Sequence, residues 1–452
     1  MYTIAIDVGS SYIKSVVFAL SDEKMLLGKT VPTPSRLPLD NPHCCELDAE
    51  NLFQLIKSII DGLTTLFPIQ NLLFSTQMHG FVYHVAGAKD RYVSWQDTRS
   101  TLPLENGQTA VERMNDLFPP DVFRRCGVRP KPSLGICNLY SLLNGDDFPS
   151  RDGELFTLGS YLIWRLTGNN VCHSTNAAPL GLMDVVNHRW DEEILYKAGL
   201  STIRLPKIAE RDLEICGTYE SSGQILSVYP DFGDQQVCIL GSDVAENDVV
   251  VNIATACQIS RISNCFDPRD YEVRPFFNGQ FLNTITDMPS GRHLDVIIRF
   301  FREIASTLTG IECSNEEVWL MLNQLDGDVS DGLAMDMSFF SQGRGRGSGS
   351  ITGIQGNNLC IGGLLAAAYD YMTLAYVENI HRLAGCDEIQ RLIFCGSVGR
   401  KNFPLLRRVS DITGVHCIRT QHENEVLNGL YRLSVVANGR AQSLEESCAF
   451  RL

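Results

Sequence analysis

The sequence has no excess of positive charge. Its 452 residues include 38 Lys and Arg against 53 Asp and Glu, which gives a formal net charge of −15 at pH 7. Because a nucleic-acid-binding protein needs a basic face, this balance argues against that class of function. A nucleotide site remains compatible with it, since a few lysines, backbone amides and a metal ion can hold phosphate groups locally.

Long hydrophobic runs are missing as well. No stretch of the sequence approaches the roughly 18 consecutive apolar residues of a membrane span. No charged segment followed by an apolar segment precedes the first predicted strand, so a secretory signal is not indicated. We therefore predict a cytoplasmic protein that does not contact membranes.

Paired cysteine motifs are absent, although cysteine itself is abundant. None of the 15 cysteines forms a Cys-x-x-Cys pair, and Cys44 and Cys45 are simply adjacent. This pattern indicates neither a zinc site nor a disulfide framework. We expect buried, reduced thiols that act as small hydrophobic side chains.

The residues that are present predict an α/β protein. Hydrophobic residues make up 44% and charged residues 20% of the chain, which is typical of a globular protein with large cores. The length favours two or three domains of ~150 residues each. Segments typical of strands and helices alternate along the chain. The clearest are helices over 51–67 and 361–383, a strand over 71–75, and a strand that runs into a small-residue turn over 392–399.

The first stretch with chemical interest is IAIDVGSSYIKSVVF, residues 4–18. Its apolar alternation predicts two strands joined by a tight turn at Gly9-Ser10-Ser11. Small residues let the backbone N–H groups of such a turn face a phosphate without obstruction. The alternative is an ordinary hairpin in which Asp7 starts an Asx-type turn.

A second stretch, VVVNIATACQISRI over 249–262, repeats this pattern about half a chain later. Its turn is Ala254-Thr255-Ala256. Two related halves, each with a hairpin turn of phosphate size, would form a cleft between them. We therefore predict two domains, 1–240 and 241–452, with the boundary just before Gly241.

Six motifs, taken in their order along the chain, narrow the range of protein families that this pattern fits. They are TQMHG (76–80), SWQDTR (94–99), TNAA (175–178), GSDVAEND (241–248), NIATACQIS (252–260) and CGSVGRKN (395–402). In this order the chain resembles the FGGY carbohydrate kinases, and most closely their sedoheptulokinase and xylulokinase branch, to which LPKIAE (205–210) is also similar. The resemblance implies two ribonuclease H-like domains of the actin-like ATPase superfamily with a cleft between them. It also implies ATP-dependent phosphorylation of a primary hydroxyl of a sugar, with a ketose such as sedoheptulose or xylulose as the expected substrate.

Two aspartates are predicted to be catalytic. By this resemblance Asp7 holds Mg²⁺ through water, which suits a carboxylate beside a phosphate-binding turn. Asp243 follows the apolar run VCIL and is predicted to lie at the end of a strand, where it would accept the proton of the sugar hydroxyl. A capping box formed by Asp243 and Glu246 at the start of a helix is compatible with that role.

Sugar contacts are assigned to loop residues that offer amides, carboxylates, an imidazole and aromatic rings. These residues are Gln77, Met78, His79, Trp95, Gln96, Asp97 and Asn176. Taken singly, a His beside a Met, or a lone Trp, is more often a core residue. Arg99 fits a structural salt bridge equally well, and Asn176 lacks the upstream aspartate that many relatives carry near His173.

Nucleotide contacts are assigned to the two turns and to the late glycine-containing turn. The residues are Gly9, Ser10, Ser11, Lys14, Thr255, Gly396, Ser397, Gly399 and Asn402. Lys14 also fits a solvated lysine on a strand. Ala254 and Ala256 depart from the Gly and Ser of many relatives, and alanine fits the turn only if its φ stays negative. The segment GRGRGSGS (343–350) fits either a phosphate-facing loop or a flexible linker.

Two rival functions remain open. An ATP-driven switch protein of the actin or heat-shock type would share the hairpin turns, and a catalytically silent relative would sense a sugar without phosphorylating it. The sugar-type loops, Asp243 and the lack of a separate peptide-binding domain argue against the switch. Retention of both Asp7 and Asp243 argues against the sensor. The expected partners are a sugar and ATP with Mg²⁺, and assembly as a homodimer is left open.

Overall fold

The computed structural model describes residues 1–118, 120–145, 150–322, 330–340, 347–385, 388–422 and 424–450. The strands are β1 Tyr2–Val8, β2 Tyr12–Ala19, β3 Lys24–Pro32, β4 Glu46–Asp48, β5 Ile69–Thr76, β6 Phe81–His84, β7 Arg91–Val93, β8 Glu154–Thr157, β9 Val171–Cys172, β10 Met183–Asp184, β11 Arg189–Trp190, β12 Lys207–Ile208, β13 Gly217–Ser221, β14 Gln224–Gly233, β15 Asp248–Ile253, β16 Cys257–Ser263, β17 Glu272–Pro275, β18 Phe281–Ile285, β19 Ala334–Asp336, β20 Ser350–Thr352, β21 Arg391–Cys395 and β22 His416–Arg419. The helices are α1 Ala49–Thr64, α2 Ala110–Leu117, α3 Pro120–Cys126, α4 Gly135–Leu143, α5 Leu158–Thr167, α6 Ser174–Ala177, α7 Glu192–Lys197, α8 Asp234–Leu240, α9 Gly291–Thr309, α10 Asn315–Leu322, α11 Ile361–Ala384, α12 Gly396–Gly399, α13 Phe403–Thr413 and α14 Glu425–Ala437. The predicted α/β class is confirmed.

The chain divides into two compact units, and each is built from separate stretches of sequence. The first contains Met1–Asp243, Ser263–Leu282 and His422–Leu452, and the second contains Val244–Ile262 and Asn283–Gln421. The late segments join the first unit because α14 packs against α8, β1 and β5. The assignment of functional domains to 1–240 and 241–452 stays a prediction.

The first unit is built around a six-stranded sheet with the order β13-β14-β5-β1-β2-β3. β5 runs parallel to both β1 and β14, whereas β2 is antiparallel to β1 and β3. A second, four-stranded sheet has the order β4-β7-β6-β8. Side chains on both faces of β1 are buried, which is typical of a central strand covered by helices on each side.

Helix α1 covers part of this sheet, as the apolar spacing over 51–67 predicted. Its buried side chains recur three and four residues apart, and they join the core that contains Ile4 and Ile6. The carboxylate of Asp48 caps its first turn by accepting the N–H of Asn51 at 2.9 Å. The strand predicted over 71–75 is confirmed as β5.

The sheet of the second unit includes, in order, β18, β16, β15, β21 and β22. β15 and β16 form the hairpin that the second repeat predicted, and β21 runs parallel to β15 and β22. The helix predicted over 361–383 is α11, and the strand that runs into a turn over 392–399 is β21 followed by α12. These predictions are confirmed.

Most cysteines in the described part of the chain are buried free thiols, as expected. Burial raises the pKa of the Cys257 thiol to about 12 and that of the Cys126 thiol far above its ordinary value, so both stay protonated. None of the helices among the described residues combines the length and the apolar character that crossing a bilayer requires.

Candidate functional site

Three neighbouring strands of the first unit end at the same edge of the sheet. Val8 of β1 and Gly233 of β14 both pair with Thr76 of β5. The next residues along the chain therefore emerge together, and the N–H of Gln77 donates to the carbonyl of Val8 at 3.3 Å. In open α/β sheets ligands bind at the carboxyl ends of strands.

Asp7 lies at this edge and is 7% exposed. The hydroxyl of Ser75 donates to its Oδ1 at 3.3 Å, and Lys14 is its cross-strand partner on β2. Burial raises the pKa of Asp7 to about 6, against the opposing charge of Lys14. A carboxylate in this position would gain from a cation, as the prediction for Mg²⁺ requires.

Asp234 is a second carboxylate at the same edge, and the sequence analysis missed it. It is the first residue of α8, directly after β14. The pKa of Asp234 is raised to about 7, mostly by burial and in part by the negative charge of Asp7, and Arg274 opposes both effects. Its signal in the sequence was the Gly-Asp-Gln-Gln tetrapeptide after an apolar stretch.

The predicted placement of Asp243 is wrong. The VCIL run forms part of α8 rather than a strand, and Asp243 lies beyond the end of that helix with φ 54° and a side chain 58% exposed. Its Oδ2 lies 2.9 Å from Nε2 of His422. The capping box is wrong too, because residues 244–247, all of which are described, form turns that lead into β15.

The loop after β5 carries three of the predicted sugar contacts. Gln77 is 4% exposed and Met78 is 6% exposed, and Met78 packs against Gly233. His79 has φ 68°, and its Nδ1 lies 3.1 Å from the carbonyl oxygen of Pro179. Burial lowers the pKa of His79 well below its ordinary value, and the charges of Arg274 and Lys131 lower it further, so the ring is neutral.

Buried polar atoms near this loop are left without partners among the described residues. They are Oε1 of Gln77, Oε1 of Gln236 and the hydroxyl of Tyr92. The Tyr92 hydroxyl lies 2.2 Å from where a Cβ on Gly80 would stand, so only glycine fits there. Since an unpaired buried polar atom costs about 1–3 kcal/mol, these groups suit a ligand that brings hydroxyls of its own.

The carboxylate of Asp97 is fully engaged inside the protein. It accepts two bonds from the Arg99 side chain, at 2.9 and 2.7 Å, and one from the N–H of Cys45 at 2.7 Å. Arg99 also pairs with Glu46, so it forms the structural salt bridge that the sequence left open. Trp95 and Gln96, the other two predicted sugar contacts in this motif, are partly buried. Oε1 of Gln96 accepts a hydrogen bond from Arg36, and Trp95 lies just after the end of β7.

Asn176 is buried, and its side chain is hydrogen-bonded to strands β14 and β5. Its amide donates to Oδ2 and the carbonyl of Asp231 at 2.9 and 3.1 Å and to Oγ1 of Thr76 at 3.1 Å. Asp231, far along the chain, also accepts the N–H of His173 at 2.9 Å. A carboxylate therefore does stand beside Asn176, but it comes from β14 instead of the upstream residues.

The first predicted phosphate turn is a closed hairpin turn. The N–H of Gly9 donates to the carbonyl of Tyr12 at 3.1 Å, and Thr33 bonds to the carbonyls of Gly9 and Ser11 at 2.8 and 3.0 Å. Ser10 and Ser11 are exposed, and Lys14 is partly buried. The turn is thus rigid, with its serines available at the surface.

The second predicted turn lies in the second unit and is anchored to α9. The carbonyl of Thr255 accepts the hydroxyl of Ser290 at 2.8 Å, and the N–H of Gly291 donates to the carbonyl of Ala254 at 2.9 Å. Neither Ala254 nor Ala256 has a positive φ, so alanine fits here without strain. Thr255 itself is exposed.

The late glycine turn lines a cavity of about 390 Å³ within the second unit. Ser397, Val398, Lys401 and Asn402 form one wall, and Trp319 of α10 contributes to the other. Gly396 has φ 80°, and a Cβ there would meet Oδ1 of Asn252 and the carbonyl of Ile253 at 2.5 Å. Gly399 is buried against Ile253. Glycine is therefore required for close packing at Gly396.

The Gly-rich segment over 343–350 is described only in part, because residues 343–346 lie outside the described residues. No group of three or more His, Cys, Asp and Glu side chains in the described ranges could hold a metal ion. A magnesium ion at Asp7 would therefore take its remaining ligands from water and phosphate oxygens, as Mg²⁺ commonly does.

Known proteins resemble this chain in both sequence and fold. Glycerol kinase of Acinetobacter baylyi is 24% identical over 266 residues, 54% of this chain and 51% of that protein. Glycerol kinase of Saccharolobus islandicus is 36% identical over 256 residues, 53% of this chain and 48% of that protein. The chain spans about half the length of the curated relatives it matches.

Two solved structures match almost the whole fold. Ligand-bound xylulose kinase from Lactobacillus acidophilus has a TM-score of 0.82 at 18% identity, over 100% of this chain and 92% of that one. Plasmodium falciparum glycerol kinase with ADP has a TM-score of 0.81 at 16% identity, over the same shares of the two chains. This likeness confirms the predicted actin-like ATPase fold. Residues 2–227 match the N-terminal domain of the FGGY family of carbohydrate kinases. This match covers half of the chain, and it shows that the protein belongs to that family.

Proposed function

We propose that this protein transfers the γ-phosphoryl group of ATP to a primary hydroxyl of a sugar, and that the sugar is a ketose. The observation that carries the proposal is Asp234, a partly buried carboxylate at the carboxyl edge of the first sheet. Burial raises its pKa to about 7, where a group can both accept and release a proton at neutral pH. The family of the chain and the ADP bound to the Plasmodium falciparum glycerol kinase support a nucleotide as phosphoryl donor.

Asp234, rather than Asp243, fits the role of general base. A sugar hydroxyl attacks phosphorus more readily when a carboxylate accepts its proton. Asp234 follows Gly233, which pairs with Thr76 next to Gln77, and its charge acts on Tyr92, one of the unpaired buried groups that suit a polyol. Asp243, in contrast, is exposed and bonded to His422. We therefore propose the carboxylate at the start of α8 as the base, whereas the sequence predicted the one beyond its end.

Asp7 is proposed to hold Mg²⁺ through water, with Lys14 and the Gly9-Ser10-Ser11 turn next to the phosphates. Bound there, the ion would neutralise charge on the transferred phosphoryl group. Thr255 is proposed to offer its hydroxyl and turn amides to the phosphates. The cavity between Ser397, Asn402 and Trp319 suits a planar base, because it combines an indole ring with polar edges.

Gln77, Met78 and Trp95 are the proposed direct contacts of the sugar. Gln77 has an unpaired amide oxygen, and Met78 and Trp95 offer apolar surface. Asp97 and Asn176 have their polar groups engaged, so we propose that they shape the site from behind. Both ring nitrogens of His79 also have protein partners, which leaves its ring face and edge toward the ligand.

Sugar-dependent ADP release tests the proposal. We expect D-sedoheptulose or D-xylulose to give the highest kcat/KM in a panel that includes glycerol, gluconate and aldoses, each assayed with ATP and Mg²⁺. A switch protein would hydrolyse ATP slowly without any sugar, and a sensor would release no ADP. If glycerol or gluconate leads the panel, the kinase stands but the ketose assignment is wrong.

The activity should also depend on pH in a defined direction. Asp234 must be ionised to accept a proton, and its pKa is raised to about 7. We therefore expect kcat/KM for the sugar to rise as pH increases through about 7 and to level off above it, since this parameter reports the free enzyme. A profile already flat from pH 5 upward would show that a carboxylate with an ordinary pKa is the base.

A further inference from the structure

Arg274 is a charged side chain that is almost completely buried. It lies on β17, in the segment Ser263–Leu282 of the first unit, and only 1% of it is exposed. Arginine is rarely buried to this degree unless every part of its guanidinium group has a partner. No motif in the sequence pointed to it.

The guanidinium group of Arg274 bonds to two residues of the candidate site at once. Its Nη1 donates to Oε1 of Gln235, the residue that follows Asp234. Its Nη2 lies 3.4 Å from Nε2 of His79. Gln235 lies in the first turn of α8, directly after β14, and His79 lies in the loop that follows β5, so one planar group connects these two segments.

The hydrogen-bond partners fix the protonation of His79. Its Nδ1 faces the carbonyl oxygen of Pro179 at 3.1 Å, and a carbonyl only accepts, so Nδ1 carries the hydrogen. Nε2 of the neutral ring is then an acceptor that faces the N–H of Arg274. These hydrogen bonds fix the imidazole ring of His79, whose backbone φ of 68° is uncommon for a residue other than glycine.

A buried carboxylate balances the charge of Arg274. Oε2 of Glu272 accepts from its Nε at 3.0 Å, and Oε1 of Glu272 accepts from Lys131. Burial alone would raise the pKa of Glu272, but the positive charges of Lys131 and Arg274 lower it. Glu272 therefore stays ionised. Glu272 therefore also holds the guanidinium group of Arg274 in place.

We propose that Arg274 is a positioning residue for phosphoryl transfer, which fixes the first turn of α8 and the His79 loop on either side of the reacting hydroxyl. The inference rests on the proposed function, in which Asp234 is the base. A planar guanidinium can bond to Gln235, His79 and Glu272 in one geometry, whereas a lysine ammonium on the same strand has no such fork. Groups held this way keep the distances that phosphoryl transfer requires.

The test compares Arg274→Met and Arg274→Lys with Arg125→Met. Arg125 is also an ion-paired arginine of the first unit, but its partners are Asp191 and Glu193 instead of Gln235 and His79. Steady-state kinetics with sugar and with ATP, melting temperatures and pH profiles are measured for each variant. Arg274→Lys keeps a positive charge beside Glu272, so it is the variant more certain to fold.

We expect Arg274→Met to lower kcat/KM for the sugar by roughly 10- to 100-fold, the effect of misplacing groups that position a reaction. The KM for ATP should stay close to wild type. The rise of kcat/KM with pH should move to higher pH in Arg274→Met, because a positive charge near Asp234 is lost, and stay in place in Arg274→Lys. Arg274→Lys should recover only part of kcat/KM, and Arg125→Met should change the melting temperature alone.

Wild-type sugar kinetics in Arg274→Lys, together with effects of Arg274→Met on melting temperature only, would overturn the proposal. Such a result would show that Arg274 serves folding and not positioning. The inference and the proposed function fail separately. If Asp234→Asn stays active, the base assignment fails, whatever the Arg274 variants do. If Asp234→Asn is inactive and both Arg274 variants behave like Arg125→Met, only the positioning role fails.

Discussion

Replacing Asp234 by asparagine should lower kcat by about 10²–10⁴-fold, the usual contribution of a general base. Asparagine keeps the size of the side chain and much of its hydrogen bonding, but it cannot accept the proton of the sugar hydroxyl. The KM for ATP should change little, because the proposed nucleotide contacts lie on other residues. Steady-state kinetics at saturating ATP and sugar measure both quantities.

Asp243→Asn is the matched control, since it makes the same chemical change at the other end of α8. It should leave kcat near that of the wild type, because Asp243 is exposed and bonded to His422. A large loss in Asp243→Asn with near-normal turnover in Asp234→Asn would restore the base that the sequence predicted. Melting temperatures separate chemistry from folding. The melting temperature of Asp234→Asn should not fall at pH 8, because the substitution removes a partly buried carboxylate whose ionised form is disfavoured.

Replacing Asp7 by asparagine should have the second-largest effect. If Asp7 holds Mg²⁺ through water, activity should fall by about 10- to 100-fold and half-saturation should require more Mg²⁺, as is usual when an outer ligand of a metal is lost. Wild-type activity should vanish in excess chelator and return with added Mg²⁺. Full turnover in chelator, or an unchanged Mg²⁺ requirement in Asp7→Asn, would remove Asp7 from the metal site. Asp22→Asn, in the exposed turn after β2, is the control for loss of one negative charge.

The stability of the Asp7 variant should change in the opposite direction from its activity. Burial raises the pKa of Asp7 to about 6, above the value of an exposed aspartate, so the folded state favours the protonated form. The stabilisation from this proton is present at low pH and is lost as pH rises through about 6. Without metal at pH 8, Asp7→Asn should therefore melt at or above the wild-type temperature. A clear decrease would show that ionised Asp7 stabilises the fold by itself.

The apolar pattern by itself predicted those elements whose residues interact along the chain. The β1–β2 hairpin around Asp7 follows from apolar alternation on each side of a small-residue turn, and both strands pair locally. Helices α1 and α11 follow from apolar spacing over many residues, where the period is unambiguous. The family could be predicted too, because its motifs keep their order along the chain.

The short VCIL run shows where such patterns fail. Every residue of this run is buried, so its hydrophobicity has no period to distinguish a strand from a helix. The packing of α14 against α8, a contact between residues nearly 200 positions apart, fixes it as a helix. The proposed position of the base depends on this choice: Asp234 begins the helix at the end of a central strand, and Asp243 lies beyond the helix.

Sequence alone determined which side chains this protein could use: a carboxylate beside a phosphate turn, amides and aromatic rings for a sugar, and glycines for close approach to a nucleotide. Only the tertiary structure decided which of them are available. The side chain of Asp97 is hydrogen-bonded to Arg99, and that of Asn176 is hydrogen-bonded to Asp231. The ring of His79 is hydrogen-bonded to Arg274, which is 195 residues away in the chain. Hydrogen bonds between such distant residues depend on how strands assemble into a sheet, and no local pattern of residues records that assembly.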